Sequence, residues 1–298
     1  IDDRLANASI HGDSATIQNL DTSICVGSGH VIASRTYVIA VVDGTYASQD
    51  PTDLDSVTLS ARSTDEIETW TAPGDAGDAL LESVTTENSI ATEDYIVTQV
   101  DATGLEGAFA QYTTNGATDQ EAFANLMADD VITLNHSETV GQASNLRPSV
   151  INASAQAAAV VADTQNDTYY FAIDTGSVSK FSTDTDYETL FRVVENRTSN
   201  SNFGLVAPEG GEFDNQDLTD TFEVVERTGT IDTASGAEEV RVSQTDSETI
   251  TGTSNIAPGS TLNVRISSES GSGSQFVIGP RTVEVQDDNT WSLEADFS

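Results

Sequence analysis

The chain has 298 residues, 37% of them hydrophobic, and sets 49 Asp and Glu against 11 Lys and Arg for a formal net charge of -38. That balance argues against nucleic acid as a partner, since neutralising phosphates takes clustered Lys and Arg, and equally against docking on anionic lipid. No stretch of 18 apolar residues is present, so no direct membrane span is expected in this chain.

Length points to two or three domains. Residues 31–42 (VIASRTYVIAVV) form the longest apolar run, ended by Asp43-Gly44; β-branched residues and Tyr favour a strand buried on both faces over a buried helix. Residues 56–61 alternate cleanly, Ala72-Pro73-Gly74-Asp75 is a turn, and residues 80–86 read as a further strand. Residues 1–92 are therefore expected to form an N-terminal β domain. A middle β-sandwich domain is expected over 93–236, opening on a strand at 93–100. Its one helix is placed near 118–129, where Thr118 and Glu121 have the spacing of a capping box and Phe123, Leu126 and Met127 share one face. Strands are expected at 130–135, 155–161 and 168–173. Two segments echo each other, Phe191-Arg192-Val193-Val194-Glu195 and Phe222-Glu223-Val224-Val225-Glu226, and two strands obeying one pattern explain them better than a repeat does.

The third unit, 237–298, is an Ig-like β domain by the same logic. Leu262, Val264 and Ile266 alternate with polar neighbours, as do Val283 and Val285, then Trp291, Leu293, Ala295 and Phe297. Turn formers separate these segments, and the strands read as one layer of a sandwich. The fold class expected is thus all-β, with tandem Ig-like β-sandwich domains and one short helix. The segment TITGTSNIAPGSTLNVRI, the Ser/Gly loop after it and VEVQDDNTWSLEADFS resemble the C-terminal module of haloarchaeal surface-layer glycoproteins. Upstream, TGLEGAF (103–109), NDTYYFAIDT (166–175) and FEVVERTGTID (222–232) are similar to preceding parts of the same family. The resemblance covers roughly 94–298. It implies a glycosylated, extracellular cell-surface protein with divalent cations as common partners, and one or two further strands beyond Ser298.

Charge composition agrees with a halophilic origin. Lys180 is the only lysine. A skin this acidic repels itself in dilute buffer, whereas at molar salt the Debye length falls to about 3 Å and the repulsion is screened. Intrinsic disorder is the other reading of an acidic chain, but regular alternation and an aromatic set of Trp70, Trp291, seven Tyr and ten Phe oppose it. The single Cys25 lies in Ile24-Cys25-Val26 and reads as a buried hydrophobe.

No catalytic site is expected. His11, His30 and His136 fall in no motif, and Ser28 and His30 in a Gly-rich turn do not make a triad. No Cys/His spacing for zinc and no complete calcium loop occur. Acidic clusters do: Asp50, Asp53 and Asp55; Asp184, Asp186 and Glu188; Asp214, Asp217 and Asp220. Were 184–188 a strand, the Asp184, Asp186 and Glu188 carboxylates would share one face, and Ca2+ or Mg2+ is the candidate cation there. The competing reading is a hydrated acidic surface neutralised by bulk salt. Sequons at Asn7, Asn135, Asn152, Asn166 and Asn196 are candidate N-glycan sites, although about four would arise by chance in so Ser/Thr-rich a chain. The function expected is structural: a surface protein assembling with copies of itself into an S-layer or sheath. Two alternatives stand beside it. One is a filament subunit joined by β-strand addition through an arm such as residues 1–18. The other is a spike or adhesin ectodomain, with a haloarchaeal virus as one source.

Overall fold

A computed structural model describes residues 9–10, 13–14, 36–41, 53–58, 62–139, 149–153, 156–194, 216–233, 240, 242–268 and 276–298. Its strands are β1 (Ser9–Ile10), β2 (Asp13–Ser14), β3 (Thr36–Val41), β4 (Asp53–Thr58), β5 (Thr64–Ala72), β6 (Ser89–Ala91), β7 (Tyr95–Ala102), β8 (Ile132–Glu138) and β9 (Val150–Asn152). They continue with β10 (Ala159–Asp163), β11 (Thr168–Asp174), β12 (Thr185–Val193), β13 (Gln216–Val225), β14 (Glu248–Thr253), β15 (Thr261–Ser267), β16 (Val277–Glu284) and β17 (Thr290–Ala295). Helices α1 (Glu106–Thr113) and α2 (Asp119–Ala128) interrupt them after β7.

The architecture is all-β, and its centre is a sandwich of two sheets ordered β10-β11-β7-β5 and β6-β13-β12-β8-β9. Alternation explains the layering. In β12 the even residues Asp186 and Glu188 are exposed, while Tyr187, Thr189, Phe191 and Val193 are buried. Their inward row meets Ile96, Val100, Tyr169, Phe171 and Ile173 of the facing sheet, and Phe109, Phe123 and Leu126 of the helices complete the same core. The echo between Phe191 and Phe222 has a plain origin, since their strands are antiparallel neighbours with Tyr187 opposite Phe222.

Helix α2 forms as its sequence requires. Thr118 accepts from the Glu121 N–H, and the Glu121 carboxylate accepts from the Thr118 N–H, so two otherwise orphaned donors are satisfied. A second helix, α1, was not foreseen: no side chain caps it and Gly107 sits in its first turn, so it lacks sequence punctuation. Residues 80–86 are not a strand. A 3-10 helix spans Gly77–Glu82, and Thr85 alone bridges to Thr71.

The boundary expected at residue 92 falls inside the sandwich. Strand β5 pairs with β7 along its length, and β6 pairs in parallel with β13. The middle unit accordingly reaches back to Thr64, with β1–β2 and β3–β4 as separate hairpins before it. At the far end the strands form two two-stranded sheets, β14-β17 and β15-β16, rather than one layer. Ile250, Trp291 and Leu293 pack between them against Leu262, Val264, Ile266 and Val283. Gly252 is fixed by this packing, because a Cβ there would strike the Thr230 carbonyl oxygen and sit 2.5 Å from the Trp291 ring.

Candidate functional site

The carboxylates expected to share a strand face divide. Asp184 stands in the turn before β12 with φ 52, while Asp186 and Glu188 point outward from the strand. Glu223 of β13 lies directly opposite Asp186. Among the described residues no group of three or more His, Cys, Asp or Glu is placed to hold a metal ion. In the cluster 214, 217 and 220, Asp217 is bidentate with Arg192 at 2.7 and 2.6 Å, and Asp220 accepts from the Thr69 N–H across the sandwich at 2.7 Å. Asp50 and Asp214 lie outside the described residues, as do His11, Cys25, Ser28, His30 and residues 1–8.

His136 is a core residue, fully buried, with Nδ1 3.0 Å from Thr189 Oγ1 and Phe222 edge-on to its ring. Burial lowers its pKa to about 4, so the ring is neutral at physiological pH.

The sequons differ sharply in access. Asn166 is exposed at the tip of the β10–β11 hairpin, where its side chain donates to Asp163 Oδ2 at 2.7 Å. Asn135 is half-buried within β8, and Asn152 sits directly across from it on the edge strand β9. Side chains at such opposed positions have Cβ atoms about 5 Å apart, so the pair has room for one bulky substituent at most. Asn7 and Asn196 lie outside the described residues.

The densest polar constellation joins the middle unit to the C-terminal one, and no sequence signal announced it. Asp94 sits where the chain crosses from β6 to β7 and is fully buried. Its Oδ2 accepts from the Ala257 N–H at 2.8 Å, and its Oδ1 lies 3.4 Å from Arg227 Nη2. The same guanidinium donates to Glu93 Oε2 at 2.5 Å. Burial raises the Asp94 pKa to about 6, against the lowering effect of the Ala257 N–H and Arg227. Around this centre Asn255 brackets the connector, accepting from the Thr228 N–H and donating to the Glu226 carbonyl, both at 2.7 Å. Thr261 donates to Asp75 and Asn289 to Glu87. Ala91, Ile256 and Val285 form a small apolar core beside these bonds.

An open polar cleft of about 510 Å³ lies over the joint. Its carboxylates already have donors within the chain: Asp75 takes Thr261, Glu93 takes Arg227, and Asp174 takes the Gly176 N–H and Ser177 hydroxyl. The arrangement fixes one unit against the next.

Packed sheets, an acidic exterior and polar groups buried at the joint define an acidic β-sandwich protein. Over nearly its whole length the chain is homologous to curated cell surface glycoproteins of haloarchaea. It is 31% identical over 297 residues to the cell surface glycoprotein of Haloferax gibbonsii, covering 96% of this chain and 32% of that protein. Cell surface glycoproteins 1 and 2 of Haloarcula hispanica are 30% and 28% identical, covering 91% and 90% of this chain and 31% of each relative. The chain thus spans about a third of the length of these relatives. No protein-family model matches it. Two solved chains described as marsupial T cell receptor align with a TM-score of 0.23 at 8% and 9% identity, covering 88% and 78% of this chain and 64% and 63% of theirs, too distant to carry any argument. The similarity to these relatives gives the chain a cell-surface, extracellular location.

Proposed function

We propose that the chain is a building segment of a self-assembling surface layer or sheath, with no catalytic role. The observation that carries this reading is the joint: two sandwich units are locked in series by Asp94, Arg227 and Asn255, giving a stiff body whose exposed faces are acidic. Bodies of net charge -38 approach one another only when salt screens them. Association measured by light scattering is expected in molar NaCl and lost on dialysis to low salt, and a chelator arm reads any share carried by Ca2+ or Mg2+. Particles that persist in both low salt and chelator overturn the electrostatic basis of the reading.

N-linked glycans are proposed partners, with Asn166 the favoured acceptor because it alone of the described candidates projects from an exposed hairpin tip. Glycopeptide mass spectrometry of protein from a haloarchaeal host should find Asn166 modified and Asn135 bare; a bare Asn166 would reverse that assignment. The filament reading is favoured by one observation. Among the described residues, the sheet around Trp291 contains only β14 and β17, which leaves strand β17 with a second edge for an incoming strand.

A further inference from the structure

Among the described residues the two central sheets end on four strands, β10 and β5 in one and β6 and β9 in the other. A strand at the end of a sheet turns a row of N–H and C=O groups outward, and such a row is a template for a strand of another molecule. Charge repulsion is a poor guard at molar salt, where screening confines it to about 3 Å. Each of these rows is met instead by groups of the same chain.

On β5, Thr71 exchanges two backbone bonds with Thr85, at 3.0 and 2.8 Å, and the Thr69 N–H donates to Asp220 Oδ2 of the facing sheet at 2.7 Å. On β6, the Ala91 carbonyl accepts from the Asp94 N–H at 3.1 Å. Just ahead of β9, the Ser149 carbonyl takes the Glu138 N–H of β8, so alternation turns the next carbonyl, that of Val150, away from the sheet. There it accepts from the ammonium of Lys180, the only lysine in the chain, at 3.1 Å. The β10 edge is the one most prone to capture, since Ala159-Val160-Val161-Ala162 is apolar and Val161 is 39% exposed. Here the first turn of α2 reaches over. Asp119 Oδ2 accepts from the Ala162 N–H at 3.0 Å, and the Gln120 amide donates to the Ala157 carbonyl at 2.5 Å.

We propose that the middle sandwich is closed to strand addition by its own groups, with Asp119 and Gln120 of α2 guarding the β10 edge and Lys180 guarding the β9 edge. A carboxylate on the Ala162 N–H removes the donor that an incoming strand needs to start its ladder. Its charge also repels the carbonyl oxygens of that strand. Hydrogen bonds act at contact distance, so molar salt leaves the guard in place. Helix α2 therefore has two tasks: Phe123 and Leu126 seal the core, and the turn ahead of them stops the sheet. Contacts between copies are left to the faces of this unit and to the C-terminal strands.

The test is sedimentation velocity of the 298-residue chain in molar NaCl, comparing wild type with D119A/Q120A, D119N and K180A. D119N sheds the same charge as D119A but keeps a carbonyl oxygen to accept from Ala162, so it separates the guard from the charge. K180A makes the chain more negative, so a general charge effect would weaken its association. The guards predict the reverse: D119A/Q120A and K180A associate about tenfold or more above wild type, while D119N stays at the wild-type level. Hydrogen exchange reads the contact directly, with the Ala162 amide protected in wild type and D119N and exchanging about tenfold or more faster in D119A/Q120A. Association of D119A/Q120A no stronger than that of D119N overturns the β10 guard, and association of K180A no stronger than wild type overturns the β9 guard. Should D119A/Q120A lose its circular dichroism, the wild-type amide decides: exchange of Ala162 as fast as in unstructured chain overturns the β10 guard by itself, and protection upholds it.

Discussion

Replacing Phe171 with alanine lowers the unfolding free energy of the middle sandwich by about 3–5 kcal/mol, the loss found when a buried aromatic leaves a cavity its neighbours cannot fill. The ring is 1% exposed and sits where three layers meet. Phe123 of α2 lies 4.4 Å from it between centroids, and Phe191 of the opposite sheet 6.3 Å. Neither sheet nor helix can move to close the gap without opening contacts elsewhere in a close-packed interior. Urea titration at constant molar NaCl reads the change as a fall in midpoint at constant slope. A loss below about 1 kcal/mol would mean that the helices do not seal this side of the core.

Arg227→Met is expected to cost about 2–3 kcal/mol at pH 7, because it strips the guanidinium from a buried carboxylate. Asp94 keeps its hydrogen bonds from the backbone at Ala257 and Gly74 but loses the opposing charge of Arg227, leaving the repulsion of Asp75 uncompensated. The pH dependence distinguishes this from lost packing. Asp94 is held at about 6, above its ordinary 3.8, so the joined state takes up a proton more readily than the separated one. Its contribution therefore improves as pH falls through 6 towards 4 and is lost as pH rises. Removing Arg227 raises the group further, so the penalty of the substitution should shrink between pH 7 and pH 5. Asp94→Asn should abolish that pH-dependent step. A penalty equal at both pH values would show that the guanidinium acts on something other than Asp94.

Period-two alternation made β11, β12, β13 and β17 legible, because a strand with one wet face writes its burial into its residue order. The capping box did the same for α2. What the order of residues did not carry was pairing. Nothing in Ser89-Ile90-Ala91 says that these residues join a strand that follows residue 215, and the boundary expected at 92 failed for that reason. Candidate sites divide along the same line. Sequons are visible as triplets, but their exposure depends on hairpin tips and sheet interiors. Asp94 is one acid among 49 until tertiary structure buries it.

Strand β6 also has a kinetic consequence. Ser89–Ala91 is flanked in sequence by strands of one sheet yet hydrogen-bonds in parallel to β13 of the other, with Ser89 opposite Glu223. The sandwich therefore cannot finish assembling until the chain as far as Val225 has been synthesised, and closing so long a loop puts it among slow, high-contact-order folders.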